Sequence, residues 1–95
     1  MNLYIITYDI ADNKRRTKVF NYLRRWGNHL QFSVFRCELS KRQLAELAAD
    51  LKEKIHHDDD QILVFDLGPS EGRARESVLA LGATYTHPER HVLIL

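Results

Sequence analysis

Sulfur chemistry is nearly absent from this chain. Among its 95 residues there is one cysteine, Cys37. A lone thiol forms no intramolecular disulfide, and without a second Cys a Cys/His zinc site has no support. A reducing, cytoplasmic setting is therefore expected. Proline occurs twice and glycine four times, with no repeats, linkers or low-complexity segments. No apolar run approaches the roughly 18 to 20 residues of a membrane-spanning helix. No basic segment leads into an apolar one ahead of the first strand, so neither a membrane nor a secretory address is expected. No G-x-S-x-G, phosphate-binding P-loop or dinucleotide fingerprint is present.

Net charge is also small, at +1, but its distribution is uneven. Residues 1–36 carry seven basic and two acidic side chains, and residues 37–95 carry seven basic and eleven acidic ones. Six of the first seven basic residues fall between Lys14 and Arg25. Asp12 is the one acid near them, too few to relieve the run, so a basic face on a neutral body is expected. With 44% hydrophobic and 28% charged residues, the composition is that of one globular domain, residues 1–95. A core this small is often helped by self-association.

Leu3 to Tyr8, rich in β-branched and aromatic residues, predicts a strand running on toward Ile10. Asp12 is a good N-cap, and Val19, Phe20, Leu23 and Trp26 recur at helical spacing before Gly27-Asn28 ends the helix. His29 to Leu39 reads as strand, either one bent strand or a tight pair. Ser40 and Gln43 form a capping box ahead of a helix marked by Leu44, Leu47, Leu51 and Ile55. Gln61 to Leu67 is a strand, Gly68-Pro69-Ser70 a turn, 72–81 a short helix with Val78 and Leu81 inward, 82–90 a loop, and His91 to Leu95 a last strand. The order defines an α+β, ferredoxin-like βαββαβ fold with an additional C-terminal strand. The strands are apolar on both sides, and two helices cover one face. A homodimer through the open sheet face is expected, with the C-terminal strand added to a sheet edge.

Asp9, at the tip of an apolar strand and next to Lys14-Arg15-Arg16, suits a phosphate with a hard divalent cation. Asp9 reads either as a metal ligand or as a helix-approach cap on nearby backbone N–H groups. The apolar stripe of the helix, continued back one turn, reaches Arg16, which therefore leans toward Asp9. Arg16 reads as a grip on the scissile phosphate or as a structural ion pair with Asp9 or Asp12. Lys14, Arg15, Lys18, Arg24 and Arg25 read as nucleic-acid backbone contacts, with Arg73 and Arg75 adding to them. Binding of that kind is sequence-tolerant and salt-dependent. Tyr8, Ser33 and Phe35 read as core or close-packing residues near the site. His56-His57-Asp58-Asp59-Asp60 reads as a polar break, not a metal site, and Cys37 as an inert buried thiol.

Tyr8-Asp9-Ile10, Arg16 and Lys18 leading into Val19, Gly27, Gln31-x-Ser33-Val34-Phe35 and the strand around 62–67 resemble the small CRISPR-associated adaptation proteins. The likeness spans nearly the whole chain. It implies a ferredoxin-like homodimer whose two strand-tip Asp residues, here Asp9, face each other across the two-fold axis. It implies that they hold Mg²⁺ or Mn²⁺ and support endonuclease cleavage of double-stranded DNA or single-stranded RNA. It also implies a complex with the CRISPR integrase. Some members carry Arg where this chain has Lys18 and His29, which leaves phosphate grip and substrate preference open. A non-catalytic duplex-DNA scaffold bridging integrase dimers is the alternative.

Overall fold

A computed structural model describes residues 1–72 and 78–83. Strand β1 (Asn2–Asp9) leads to helix α1 (Asn13–Arg24), then strands β2 (Asn28–Gln31) and β3 (Val34–Leu39), helix α2 (Lys41–Lys54) and strand β4 (Gln61–Pro69). The sheet order is β2-β3-β1-β4 with antiparallel neighbours. Each β-α-β unit is thus split by an inserted strand, the ferredoxin-like arrangement expected from the element order.

Both helices begin where the sequence places their caps. The Asp12 carboxylate accepts the Arg15 N–H at 2.9 Å, and Ser40 and Gln43 satisfy each other's backbone N–H groups at 3.1 and 2.9 Å. Helix α1 closes through Trp26 and Gly27, whose N–H groups return to the Leu23 carbonyl. Gly27 then passes against β3. A Cβ there would collide with the Arg36 carbonyl and sit 2.5 Å from Cys37 Sγ, so this crossing needs glycine.

Alternation along β1 sends Tyr4, Ile6 and Tyr8 toward the helices, where they meet Phe35 and Cys37 of β3, Val19 and Leu23 of α1, and Leu47 and Leu51 of α2. Full burial of such side chains contributes about 1.5–3 kcal/mol each. On the other sheet face the register sets Ile5 between Arg36 and Phe65, and Thr7 between Val34 and Leu63. Leu63, Phe65 and Leu67 of β4 are exposed there, as the apolar-on-both-sides reading of the strands requires.

Several boundaries differ from the sequence reading. Residues 28–39 form a tight pair of strands, because the two-residue connection Phe32-Ser33 reverses the chain between Gln31 and Val34. Gly68-Pro69 does not break β4. Gly68 adopts φ +90° at an irregularity between the pairs formed by Asn2 and Tyr4, a bulge rather than a turn, and the edge position tolerates Pro69. Residues 78–81 are not helical, and Leu81 is exposed, not inward. Residues 73–77 of the expected 72–81 helix, most of the 82–90 loop and the 91–95 strand lie outside the described residues.

Candidate active site at the tip of the first strand

Asp9 is the last residue of β1, paired with Gln61 of β4, and its side chain is exposed. The nearby backbone N–H groups have other partners. Arg15 N–H goes to Asp12, and Ala11 N–H goes to Asp60 Oδ1 at 3.0 Å. The capping role open to Asp9 from the sequence is therefore filled by Asp12 and Asp60. Among the described residues the Asp9 carboxylate has no hydrogen-bond or ion-pair partner.

Arg16 projects from the first turn of α1 back over the chain leaving β1. Its Nε–H and Nη2–H donate to the Ile10 carbonyl at 3.2 and 2.8 Å, and its Nη1–H donates to Asn13 Oδ1 at 2.6 Å. Neither Asp9 nor Asp12 is its partner. A guanidinium has five N–H donors, so Arg16 is fixed in direction and keeps two without a partner among the described residues. Asp9 and Arg16 line one cavity of about 430 Å³, together with Tyr8, Thr17, Phe20, Phe32 and Ser33. Burial pushes the Tyr8 hydroxyl above its ordinary pKa, partly offset by the Arg16 charge.

Arg15 points the other way, into an ion pair with Asp60. Its Nε–H and Nη2–H donate to Asp60 at 2.8 and 3.2 Å. The Asp60 carboxylate also accepts the His56 N–H at 2.8 Å and is held far below the usual carboxylate range, first by Arg15 and then by these backbone N–H groups. Sequence reasoning took 56–60 as a solvated break and missed Asp60. The only signal was an acid opening a strand, which points to no particular partner.

Lys14 and Lys18 are exposed, as expected. Lys18, Asn21 and Arg25 face a cleft of about 770 Å³ between α1 and the end of α2, closed on the far side by Lys54 and His56. Lys54 lies over the Tyr22 ring, 4.5 Å from its centre, and the Tyr22 hydroxyl donates to Asp50. Arg24 stacks over Phe20 at 5.6 Å. Helix α1 is thus a ridge, with the Asp9–Arg16 cavity on one flank and a basic cleft on the other. Arg73 and Arg75 lie outside the described residues.

His56 and His57 contact Asp59 and Asp58, each at 3.4 Å. Among the described residues no group of three or more His, Cys, Asp or Glu could hold a metal ion, and no described helix is long and apolar enough to cross a membrane. Cys37 is buried, and burial pushes its thiol up to about 12.

The ferredoxin-like body thus places a strand-tip carboxylate and an anchored arginine in one cavity. The sequence profile of the CRISPR associated protein Cas2 family matches residues 1–74, and the chain belongs to that family. A CRISPR-associated endoribonuclease Cas2 of Geobacter sulfurreducens is 33% identical over 94 residues, covering 99% of this chain and 98% of the relative. One from Rhodospirillum rubrum is 36% identical over 92 residues, covering 97% and 89%. The crystal structure of Streptococcus pyogenes Cas2 superposes with a TM-score of 0.74 at 25% identity, over 84% of this chain and 99% of that one.

Proposed function

We propose that this chain is a Mg²⁺-dependent endonuclease of CRISPR spacer acquisition, acting as a homodimer in which two Asp9 carboxylates share a divalent cation at the two-fold axis. One observation carries the reading: the Asp9 carboxylate, without a partner among the described residues, opens into the cavity that also holds the anchored Arg16. One chain supplies one carboxylate. That fits Mg²⁺, which keeps several waters and is usually held by one or two carboxylates plus phosphate oxygens. Mn²⁺ suits the same oxygen donors. The cation would polarise the phosphoryl oxygen and lower the pKa of an attacking water. Arg16 orients the phosphate through its two remaining N–H groups and meets charge developing on it. The exposed Leu63, Phe65 and Leu67 supply an apolar surface for the second copy.

The substrates proposed are double-stranded DNA, single-stranded RNA or both, with Lys14 and Lys18 on the backbone and the CRISPR integrase as the macromolecular partner. The test is cleavage of labelled duplex DNA and single-stranded RNA in Mg²⁺ by wild type and Asp9→Asn, both first shown to be dimeric and equal in duplex binding. Loss of cleavage in Asp9→Asn alone supports the enzyme. Equal cleavage, or none from either, removes Asp9 as the catalytic ligand. A second reading, a non-catalytic duplex scaffold between integrase dimers, is favoured by the separation of the basic cleft from Asp9 across α1.

A further inference from the structure

Phe32 is 92% exposed, the most exposed aromatic side chain among the described residues whose exposure is given. It occupies a two-residue β-hairpin connection at φ +29°, a conformation that glycine, asparagine or aspartate adopts with far less strain. Neither burial nor backbone preference accounts for a phenyl ring there.

The turn is nonetheless firmly built. His29 Nε2–H donates to the Phe32 carbonyl at 2.6 Å, and Tyr8 N–H donates to the Ser33 carbonyl at 3.1 Å. The His29 ring packs on Phe20 and Phe35 at 4.9 and 5.0 Å. The Phe32 ring is therefore displayed from a fixed support, at the rim of the cavity that holds Asp9 and Arg16. Phe32, Phe20 and Tyr8 line that cavity together with Asp9 and Arg16. Its volume of about 430 Å³ is within the usual range for a small-molecule site.

We propose that Phe32 is a stacking platform for one unpaired nucleobase beside the phosphate held at Asp9 and Arg16, so that this cavity takes single-stranded nucleic acid. The placement of the phosphate rests on the function proposed above. An aromatic face stacks on any base, without sequence preference. A duplex keeps its bases stacked on one another, so it reaches Phe32 only after unpairing. Duplex held along Lys14 and Lys18 and single strand held at Phe32 would then be two separate modes of binding.

The test uses the Asp9→Asn protein in EDTA, so that binding is read without cleavage or metal. A fluorescent single-stranded RNA, a single-stranded DNA, the same DNA made abasic, and a blunt DNA duplex are titrated against Phe32, Phe32→Asn and Phe32→Tyr. Asparagine suits the positive φ and removes the ring. Phe32→Asn is expected to melt no lower than its parent, to bind single strands about 5- to 150-fold more weakly, and to bind duplex and abasic strand as before. Phe32→Tyr is expected to keep single-strand affinity. Equal weakening toward duplex and single strand, or no weakening, would overturn the proposal. So would conversion of Phe32→Asn to a monomer in sedimentation, which would make the ring a subunit contact. If Asp9 is not catalytic, the cleavage experiment fails while this binding difference stands.

Discussion

Arg15 and Asp60 stand 45 positions apart and meet through two hydrogen bonds, Nε–H to Oδ2 at 2.8 Å and Nη2–H to Oδ1 at 3.2 Å. Asp60 also takes the Ala11 and His56 N–H groups. One carboxylate thus joins the start of α1, the chain leaving β1 and the end of α2, two residues beyond Asp9.

The first prediction concerns acid. The native Asp60 carboxylate lies below its ordinary pKa, so it contributes stability that is fully present above the unfolded value of about 3.9. That contribution is lost as pH falls through the lower native value, because the unfolded chain then binds the proton first. Asp60→Asn is expected to melt below wild type at neutral pH, with the gap closing toward pH 2. Thermal melts across that range check it, and a constant gap would remove the ion pair as the cause.

Gly27→Ala forces a methyl group into the Arg36 carbonyl and Cys37 Sγ. Overpacking of this kind costs typically about 1–3 kcal/mol. A lower urea midpoint with an unchanged slope is the expected outcome.

Arg16 is held by three bonds to the Ile10 carbonyl and Asn13. Lysine keeps the charge and loses the fork. Under the proposed function, Arg16→Ala is expected to lower single-turnover cleavage by about 100- to 1,000-fold. Arg16→Lys is expected to recover little of it, with duplex binding nearly intact in both. Full recovery by lysine would reduce the role of Arg16 to charge alone.

Lys14 and Lys18 are expected to act on affinity, not cleavage chemistry. Replacing both by glutamine should flatten the dependence of log affinity on log salt by about one unit per lost phosphate contact. The Mg²⁺ binding proposed at Asp9 should stay as it was. Duplex titrations at several salt concentrations give the slope.

Cys37 is expected to resist alkylation in the native state at pH 8, because its thiol is buried and pushed up to about 12. Labelling should appear only with unfolding, followed by mass spectrometry against urea. Reaction in native buffer would show that the core opens around β3.

The element order was legible because the local signals agree. Asp12 and Ser40 cap where their sequences say, and Val19, Leu23, Leu47 and Leu51 fall on buried helix faces. The strand pair at 28–39 was ambiguous because Phe32-Ser33 lacks the glycine or asparagine that marks such a turn. The bend at Gly68 was read as a turn because a bulge and a turn share the same residue types. Arg16 was correctly aimed toward the β1 tip by helical spacing, yet its partners, a backbone carbonyl and Asn13, could not be inferred. Arg15 and Asp60 lay beyond any local rule, since their contact exists only once the second helix has returned the chain to the first.

The bare carboxylate of Asp9 carries a consequence for inheritance. No described side chain or backbone group depends on it for a hydrogen bond, so the described fold keeps all of its hydrogen bonds when it is replaced. The basic flank of α1 is equally indifferent to it. Under the proposed function, a single substitution would therefore separate cutting from holding in descendants of this chain, leaving a body that still grips nucleic acid and has given up its chemistry.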